Sequence, residues 1–322
     1  MSRLAGVIAA SWTSTKSEAD GHARIRSAGQ VLARQHPHPL HAFRRPLEPA
    51  EVCRLYRETG YDFLCLSDHF LARYGFPIVD TRPFRTNSFT TILGAEIHAP
   101  ANSHGEIWHV LAAGLPGDFA PTGETETGLQ LAARAKAAGA FVGIAHPQWS
   151  GLTEADGRAM SAHAHAVEIY NHGCALECAR SDGTYLLDLL LNEGHRLTGY
   201  AADDAHFRID DGFGGWMMVK AGENEPDALL VAMKAGDFYA SQGPLIHAFA
   251  LAGGEAHVEC SPVVNVALVG RGSRAAHVAG RQLTRASLPI GRFADDWFRL
   301  VVTDAAGRSA WSNPVWLSET SG

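Results

Sequence analysis

The feature that most constrains the fold is a pattern that recurs from Leu47 to Gly236. Short apolar runs end on a charged or imidazole side chain, and amphipathic segments end on glycine. In EPAEVCRLYRETG, Pro49 suits a first helical position, Val52, Leu55 and Tyr56 share one face, and Gly60 closes the helix. The run at 61–66 (YDFLCL) reads as a strand that stops at Ser67-Asp68-His69. Residues 89–97 read as a strand ending at Glu96, and residues 107–113 as another carrying His109. A helix over 127–138 is closed by Gly139, and the strand FVGIAHP ends at His146. Strand 166–171 (AVEIYN) and helix 184–194 follow, and LTGYAADDAH ends at Asp204 and His206. Strand 214–221 and helix 225–236 complete the series.

Strands alternating with helices through short turns predict a parallel α/β sheet. Polar residues at the C-terminal ends of several strands predict a barrel with its site on that face. The rival, an open doubly wound sheet, would show a glycine-rich phosphate loop after its first strand, and none is visible. After Gly243-Pro244 the pattern changes to short β-type runs such as VVNVALVG and WFRLVVTD. The expected division is an N-terminal segment 1–46, a barrel over 47–244 and a small all-β domain over 245–322.

Bulk properties exclude several classes. A net charge of −7 with no basic stripe argues against nucleic-acid binding. No apolar run reaches the ~18 residues needed to cross a bilayer, so no membrane role is expected. The five cysteines, Cys53, Cys65, Cys174, Cys178 and Cys260, show no CxxC spacing and read as free thiols in a reducing compartment. The apolar N-terminus is weak as a signal peptide, and a cytoplasmic protein is expected.

Histidine is unusually abundant, at 17. One histidine at a strand end is ordinarily a hydrogen-bonded residue. Here Asp68-His69, Glu96, His109, His146, and Asp204 with His206 all fall at or near strand ends. A hydrolytic metal site needs such imidazoles and carboxylates converging from different strands. Asp204 and His206, two apart on an extended segment, face the same side. His98 and His104 are assigned to a polar loop facing solvent. His163, His165, His172 and His195 have no matching partners and are not expected to be ligands. Asn171 can donate into the site or close a turn.

The motifs LSDH, GAEI, WHVLAAG, IAHP, VEIYN and ADDAH occur in this order. They resemble the successive motifs of the PHP (polymerase and histidinol phosphatase) domain family over residues 47–244. YASQGP and WSNPV resemble the tail of its stand-alone bacterial hydrolases. The resemblance implies a distorted (βα)7 TIM-like barrel holding up to three divalent ions, commonly zinc, manganese or iron. It implies His69, Glu96, His109, His146, Asp204 and His206 as ligands, with Glu96 bridging, and Asp68 among the catalytic residues. The implied nucleophile is a metal-activated water. The activity expected is hydrolysis of a small-molecule phosphoester, with Arg73, Arg82 and Arg85 placed to bind the substrate anion. The alternatives are carbamate, amide or ester hydrolysis, and a non-catalytic metal-binding module.

The chain departs from that family at one place. A first strand ending His-x-His, followed by Ser-Asp-Gly, should precede Leu47, but the sequence there is QHPHPLHAFRR. His36 and His38 have the spacing, yet Pro37 and Pro39 do not suit an inner strand. Back-translated with permitted codons and shifted by one base, RQHPHPLHAFRRP can read GNIHIHSTLSDG. That points to a reading-frame error in this segment. As written, the chain would lack first-strand ligands and have impaired activity, with His36, His38 and His41 available only for adventitious metal binding.

Overall fold

A computed structural model describes residues 7–10 and 47–317 of the 322-residue chain. His36, His38, His41 and the proposed frame error lie outside the described residues.

A short strand, β1 (Val7–Ala10), precedes α1 (Pro49–Glu58), β2 (Phe63–Phe70), β3 (Thr90–Ala99) and β4 (Trp108–Ala113). There follow α2 (Gly128–Ala137), β5 (Phe141–Ile144), α3 (Glu154–Ser161), β6 (Ala166–Asn171), α4 (His172–Cys178), α5 (Thr184–Asn192) and β7 (Thr198–Ala202). Then come β8 (Trp216–Val219), α6 (Pro226–Ala235) and β9 (Phe238–Ser241). The rest is strand-rich: β10 (Ile246–Ala252), β11 (Glu255–Gly270), β12 (Ala275–Pro289), β13 (Trp297–Thr303), β14 (Ser309–Ser312) and β15 (Val315–Trp316). Among the described residues no helix is long and apolar enough to cross a membrane.

Local chemistry accounts for most boundaries. Pro49 opens α1 beneath a Glu48–Glu51 capping box. Thr127 with Gln130 and Thr153 with Asp156 form the same device at α2 and α3. Gly236 closes α6 with φ +79°, a conformation that side chains other than glycine resist. The sequence pattern assigns no helix to α3 or α4. Each is short and follows directly on site-forming residues.

The sheet is not wholly parallel, which corrects the expectation. β2 runs parallel to β3, and β5, β6 and β7 run parallel in turn, but β4 is antiparallel to both neighbours. The link from β3 to β4, residues 100–107, is shorter than the dozen or so residues a parallel crossover needs, so the chain must turn back. β1 pairs antiparallel with β2 and parallel with β8.

The sheet curls. Five steps from β2 to β7 would separate those strands by about 24 Å in a flat sheet. Instead Phe63 of β2, Ile92 of β3, Leu111 of β4, Phe141 of β5, Ala166 of β6, Tyr200 of β7 and Met217 of β8 share one buried cluster. Alternation along each strand sends these side chains to a common inside, and α2, α3 and α5 pack on the outside against Val110, Ile144 and Ile169. Crowding inside is tight at β3: a Cβ on Gly94 would lie 2.5 Å from Cys65 Sγ and 2.6 Å from the Ala112 carbonyl oxygen.

The C-terminal strands have their own apolar core around Val258, Val266, Leu268, Phe298 and Leu300. They are not detached from the rest, because β14 pairs antiparallel with β9 and makes the sheet continuous. Arg299 of β13 forms a two-pronged ion pair with Asp188 of α5, both bonds at 2.9 Å.

Candidate metal centre

Strand register builds the site. In the parallel pair β2–β3, His69 lies beside Glu96, and in the antiparallel pair β3–β4, His98 lies beside His109. Glu96 and His98 are two apart on β3 and so share a face. His146 follows β5, while Asp204 and His206 follow β7. The curl brings these ends together, with the rings of His69 and His206 only 5.8 Å apart between centroids.

Glu96 is the centre of the cluster. Its Oε1 lies 2.8 Å from His109 Nδ1 and 3.0 Å from His146 Nε2. Its Oε2 lies 2.8 Å from His69 Nδ1 and 3.5 Å from His98 Nε2. His69 Nδ1 and His98 Nε2 are themselves 3.0 Å apart. The donor atoms of His69, Glu96, His98 and His109 all fall within 4.8 Å of one another.

These residues fit a divalent ion. Glu96 Oε2 is buried, yet among the described residues it takes no hydrogen bond of acceptable geometry, although two imidazole nitrogens approach it. Unaligned lone pairs crowded around one point suit a shared cation better than a hydrogen-bond network. A set of imidazoles with one carboxylate matches the chemistry of zinc, manganese and iron sites.

Electrostatics agree with an ionised centre. Burial opposes ionisation of Glu96, but the His109 and His98 imidazoles and the hydrogen bonds from His109 and His146 outweigh it and hold the carboxyl well below its usual range. Burial drives His98 down to about 3 despite the Glu96 charge. Burial also opposes protonation of His146, but Glu96, Asp204 and Glu168 overcome it and raise the imidazole to about 9. Burial raises Glu168 to about 8.

A surrounding shell fixes these groups. The backbone N–H of His146 donates to Glu168, and its Nδ1 lies 2.9 Å from Ser150 Oγ. Asn171 caps α4 with its Oδ1, and its Nδ2 donates to Asp204 Oδ2 at 3.1 Å. His206 Nδ1 lies 3.0 Å from the Asp204 carbonyl oxygen. A carbonyl only accepts, so that nitrogen carries the proton and Nε2 keeps its lone pair. His146 and Asp204 have positive φ values, +23° and +53°. Such strain outside glycine costs ~1–3 kcal/mol and concentrates at functional sites.

Asp203 and Asp211 clamp the loop that carries Asp204 and His206. Asp203 is fully buried and accepts from Tyr56 Oη, Phe213 N, Gly214 N and Gly215 N at 2.7–2.8 Å. Burial raises it to about 6 against these four bonds. Asp211 accepts from the backbone N–H groups of His206 and Phe207, each at 2.9 Å.

His69, Glu96, His109, His146, Asp204 and His206 line one pocket of about 160 Å³, together with Trp149, Gly173, Cys174, Glu177 and Arg208. All six ligand candidates from the sequence therefore meet. Asp68 does not line the pocket; it is buried within β2, which runs to Phe70, four residues beyond the anticipated end at Leu66. The three anticipated arginines are also elsewhere. Arg73 stacks over Tyr74 at 4.7 Å, Arg82 grips Asp80 with two bonds at 2.7 and 2.9 Å, and Arg85 donates to Thr91. The guanidinium at the pocket belongs to Arg208.

His98 corrects a second expectation. It is 2% exposed and belongs to the cluster, because β3 continues through it instead of giving way to a loop. Its spacing of two from Glu96 on the same strand was the available signal. His104 lies outside, in the turn at 100–107. His165 accepts from Val142 N, away from the site. Glu168, two positions before Tyr170 in VEIYN, carried no signal of its own.

No protein-family model and no curated protein matches the chain. Among solved structures, it is similar to a two-domain protein containing a predicted PHP-like metal-dependent phosphoesterase from Bacteroides vulgatus ATCC 8482. The identity is 14% and the TM-score 0.49, over 91% of this chain and 94% of that one.

Proposed function

We propose that the chain is a metal-dependent hydrolase of the PHP type that cleaves small-molecule phosphoesters. The observation that carries this reading is the Glu96 carboxylate, buried among four imidazoles at 2.8–3.5 Å. The ordered motifs from LSDH to ADDAH support it, and under this reading the curled sheet is a distorted (βα)7 barrel. His69, Glu96, His98 and His109 would hold one ion, with His146, Asp204 and His206 completing the donor set around the pocket. Zinc, manganese and iron all suit these ligands.

A bound divalent ion would supply an acidified water and polarise the scissile bond. The chain's own residues do the rest. Asn171 and Glu168 hold Asp204 and His146 in strained conformations that aim them at one point. Leu111, Tyr200 and Ala202 line a cavity of only about 20 Å³ against the cluster, which limits the water that can screen its charges. Arg208 gives the pocket a cation for the substrate anion, which a neutral ester or carbamate does not require.

The test is metal content by mass spectrometry, together with hydrolysis of phosphomonoesters, phosphodiesters, aryl acetates and carbamates by the manganese- or zinc-loaded protein. Tight metal at one or more equivalents and phosphoester turnover are expected. Less than one equivalent of metal with no turnover would remove the proposal. Turnover confined to acetates or carbamates would transfer it to carbonyl chemistry.

A further inference from the structure

We infer that the substrate is an anionic ester with a flat aromatic leaving group, held by Arg208 at its anion and by Trp149 at its ring. This deepens the hydrolase reading and rests on it.

The first observation is size. The pocket encloses about 160 Å³, well under the ~300–1,000 Å³ of sites that engulf a whole organic ligand. It takes a head group, and the remainder of the molecule must lie at the mouth.

The second is what the mouth is made of. Six large apolar side chains are largely exposed among the described residues. One of them, Trp149, lines the pocket itself. Exposed apolar surface beside a polar hole marks a binding rim.

The third is the posture of Trp149. Its indole is 41% exposed, although its ring packs edge-on against His109 at 5.3 Å and His146 at 4.9 Å. The turn that carries it is tied by Ser150 N to the His146 carbonyl and Leu152 N to the Pro147 carbonyl. The ring is therefore fixed by its edge contacts and open elsewhere. A rigid indole offers stacking area with little ordering cost.

The fourth is Arg208. Phe207, with φ +53°, is buried among Tyr56 and its neighbours and anchors the loop. His206 and Arg208 flank that anchor and both face the pocket. From Trp149 the rings of His109, His69 and His206 follow in a row of contacts at 5.3, 6.2 and 5.8 Å, and Arg208 lines the same pocket. An ester lying across the row would meet the cation at its phosphoryl oxygens and the indole at its leaving group. Hydrolysis breaks the ester P–O bond, water adds its oxygen to phosphorus, and the leaving group departs as a phenol or alcohol.

A nucleoside and a simple aryl group share this chemistry, and the test separates them. Phenyl phosphate, adenosine monophosphate and glycerol phosphate are compared as substrates of the manganese-loaded protein, and binding of each to the metal-free protein is followed calorimetrically. Trp149→Ala should lower kcat/KM and affinity for the two aromatic esters by roughly 10-fold or more beyond any loss on glycerol phosphate, within the range of base–aromatic stacking. Trp149→Phe should restore most of the loss. Arg208→Ala should weaken all three. A preference for the nucleotide over phenyl phosphate identifies a nucleoside, and the reverse a simple aryl group. Equal losses on glycerol phosphate, or unchanged affinity for the aromatic esters, would overturn the inference. If nothing is hydrolysed but Trp149→Ala still weakens aromatic binding selectively, the hydrolase reading fails and the aromatic platform stands.

Discussion

The hydroxyl of Tyr56 donates to the buried Asp203 carboxylate at 2.7 Å, joining the helix before β2 to the loop after β7 across 147 positions of sequence. The bond ties α1 to the loop from which Asp204 and His206 leave.

Removing either partner should loosen that loop. Tyr56→Phe deletes one bond to a buried acceptor and should cost about 1–3 kcal/mol in urea denaturation. Asp203→Asn should cost more, because its amide nitrogen would confront backbone N–H donors, and bound metal should fall with it. An Asn variant as stable and as metal-rich as the wild type would contradict this role.

Glu96→Gln keeps the shape and removes the charge. Metal affinity should fall by at least the ~10–100-fold typical of disturbing a ligand's surroundings, with far-ultraviolet circular dichroism unchanged. His146→Ala and Asp204→Ala should abolish turnover while the fold persists. Wild-type turnover in any of the three would undo the ligand assignment.

Chelation should destabilise the protein. Four imidazoles crowded on one carboxylate need a cation, and a ligand at 1,000 times its Kd contributes about 4 kcal/mol. Scanning calorimetry with and without a chelator should show a lower Tm in the stripped protein, restored by manganese or zinc. A Tm insensitive to both treatments would count against a metal in this cluster.

His165 predicts a pH dependence remote from the site. Burial, aided by Lys136 and Lys234, lowers its imidazole from 6.5 to about 4. Between those values the unfolded chain binds a proton that the folded chain refuses. The His165 contribution to stability should therefore fall as pH drops through this window, by up to ~1.4 kcal/mol per pH unit, and should be constant above it. Denaturation midpoints of wild type and His165→Gln should converge at pH 7.5 and separate near pH 5, with the wild type the weaker. Parallel pH profiles would refute the assignment.

Much of this arrangement was legible before any coordinates. The strand-end positions of His69, Glu96, His109, His146, Asp204 and His206 follow from periodicity, and the motif order suggested that they converge. What could not be read was register and reversal. His98 looked like loop because nothing in the sequence marks β3 as running to Ala99. The antiparallel course of β4 depends on the length of a connection, which is visible, and on which edge is free to receive it, which is not. Arg82 and Arg85 were attractive by position alone; Asp80 and Thr91, close in sequence, capture them locally. Arg208 lies beyond the last motif, and the left-handed turn at Phe207 that brings it to the pocket is not marked by any glycine in the sequence.

The pairing of β9 with β14 bears on any attempt to trim this protein to the half that carries the cluster. Cutting after Pro244 would strip β9 of its outer neighbour and bare a row of unsatisfied amide and carbonyl groups. It would also leave Asp188 without Arg299 and Gly199 N without its acceptor on Asn313. Such a fragment would meet other copies of itself along that raw border and precipitate, so the tail serves as the selvedge that keeps the curled fabric from unravelling.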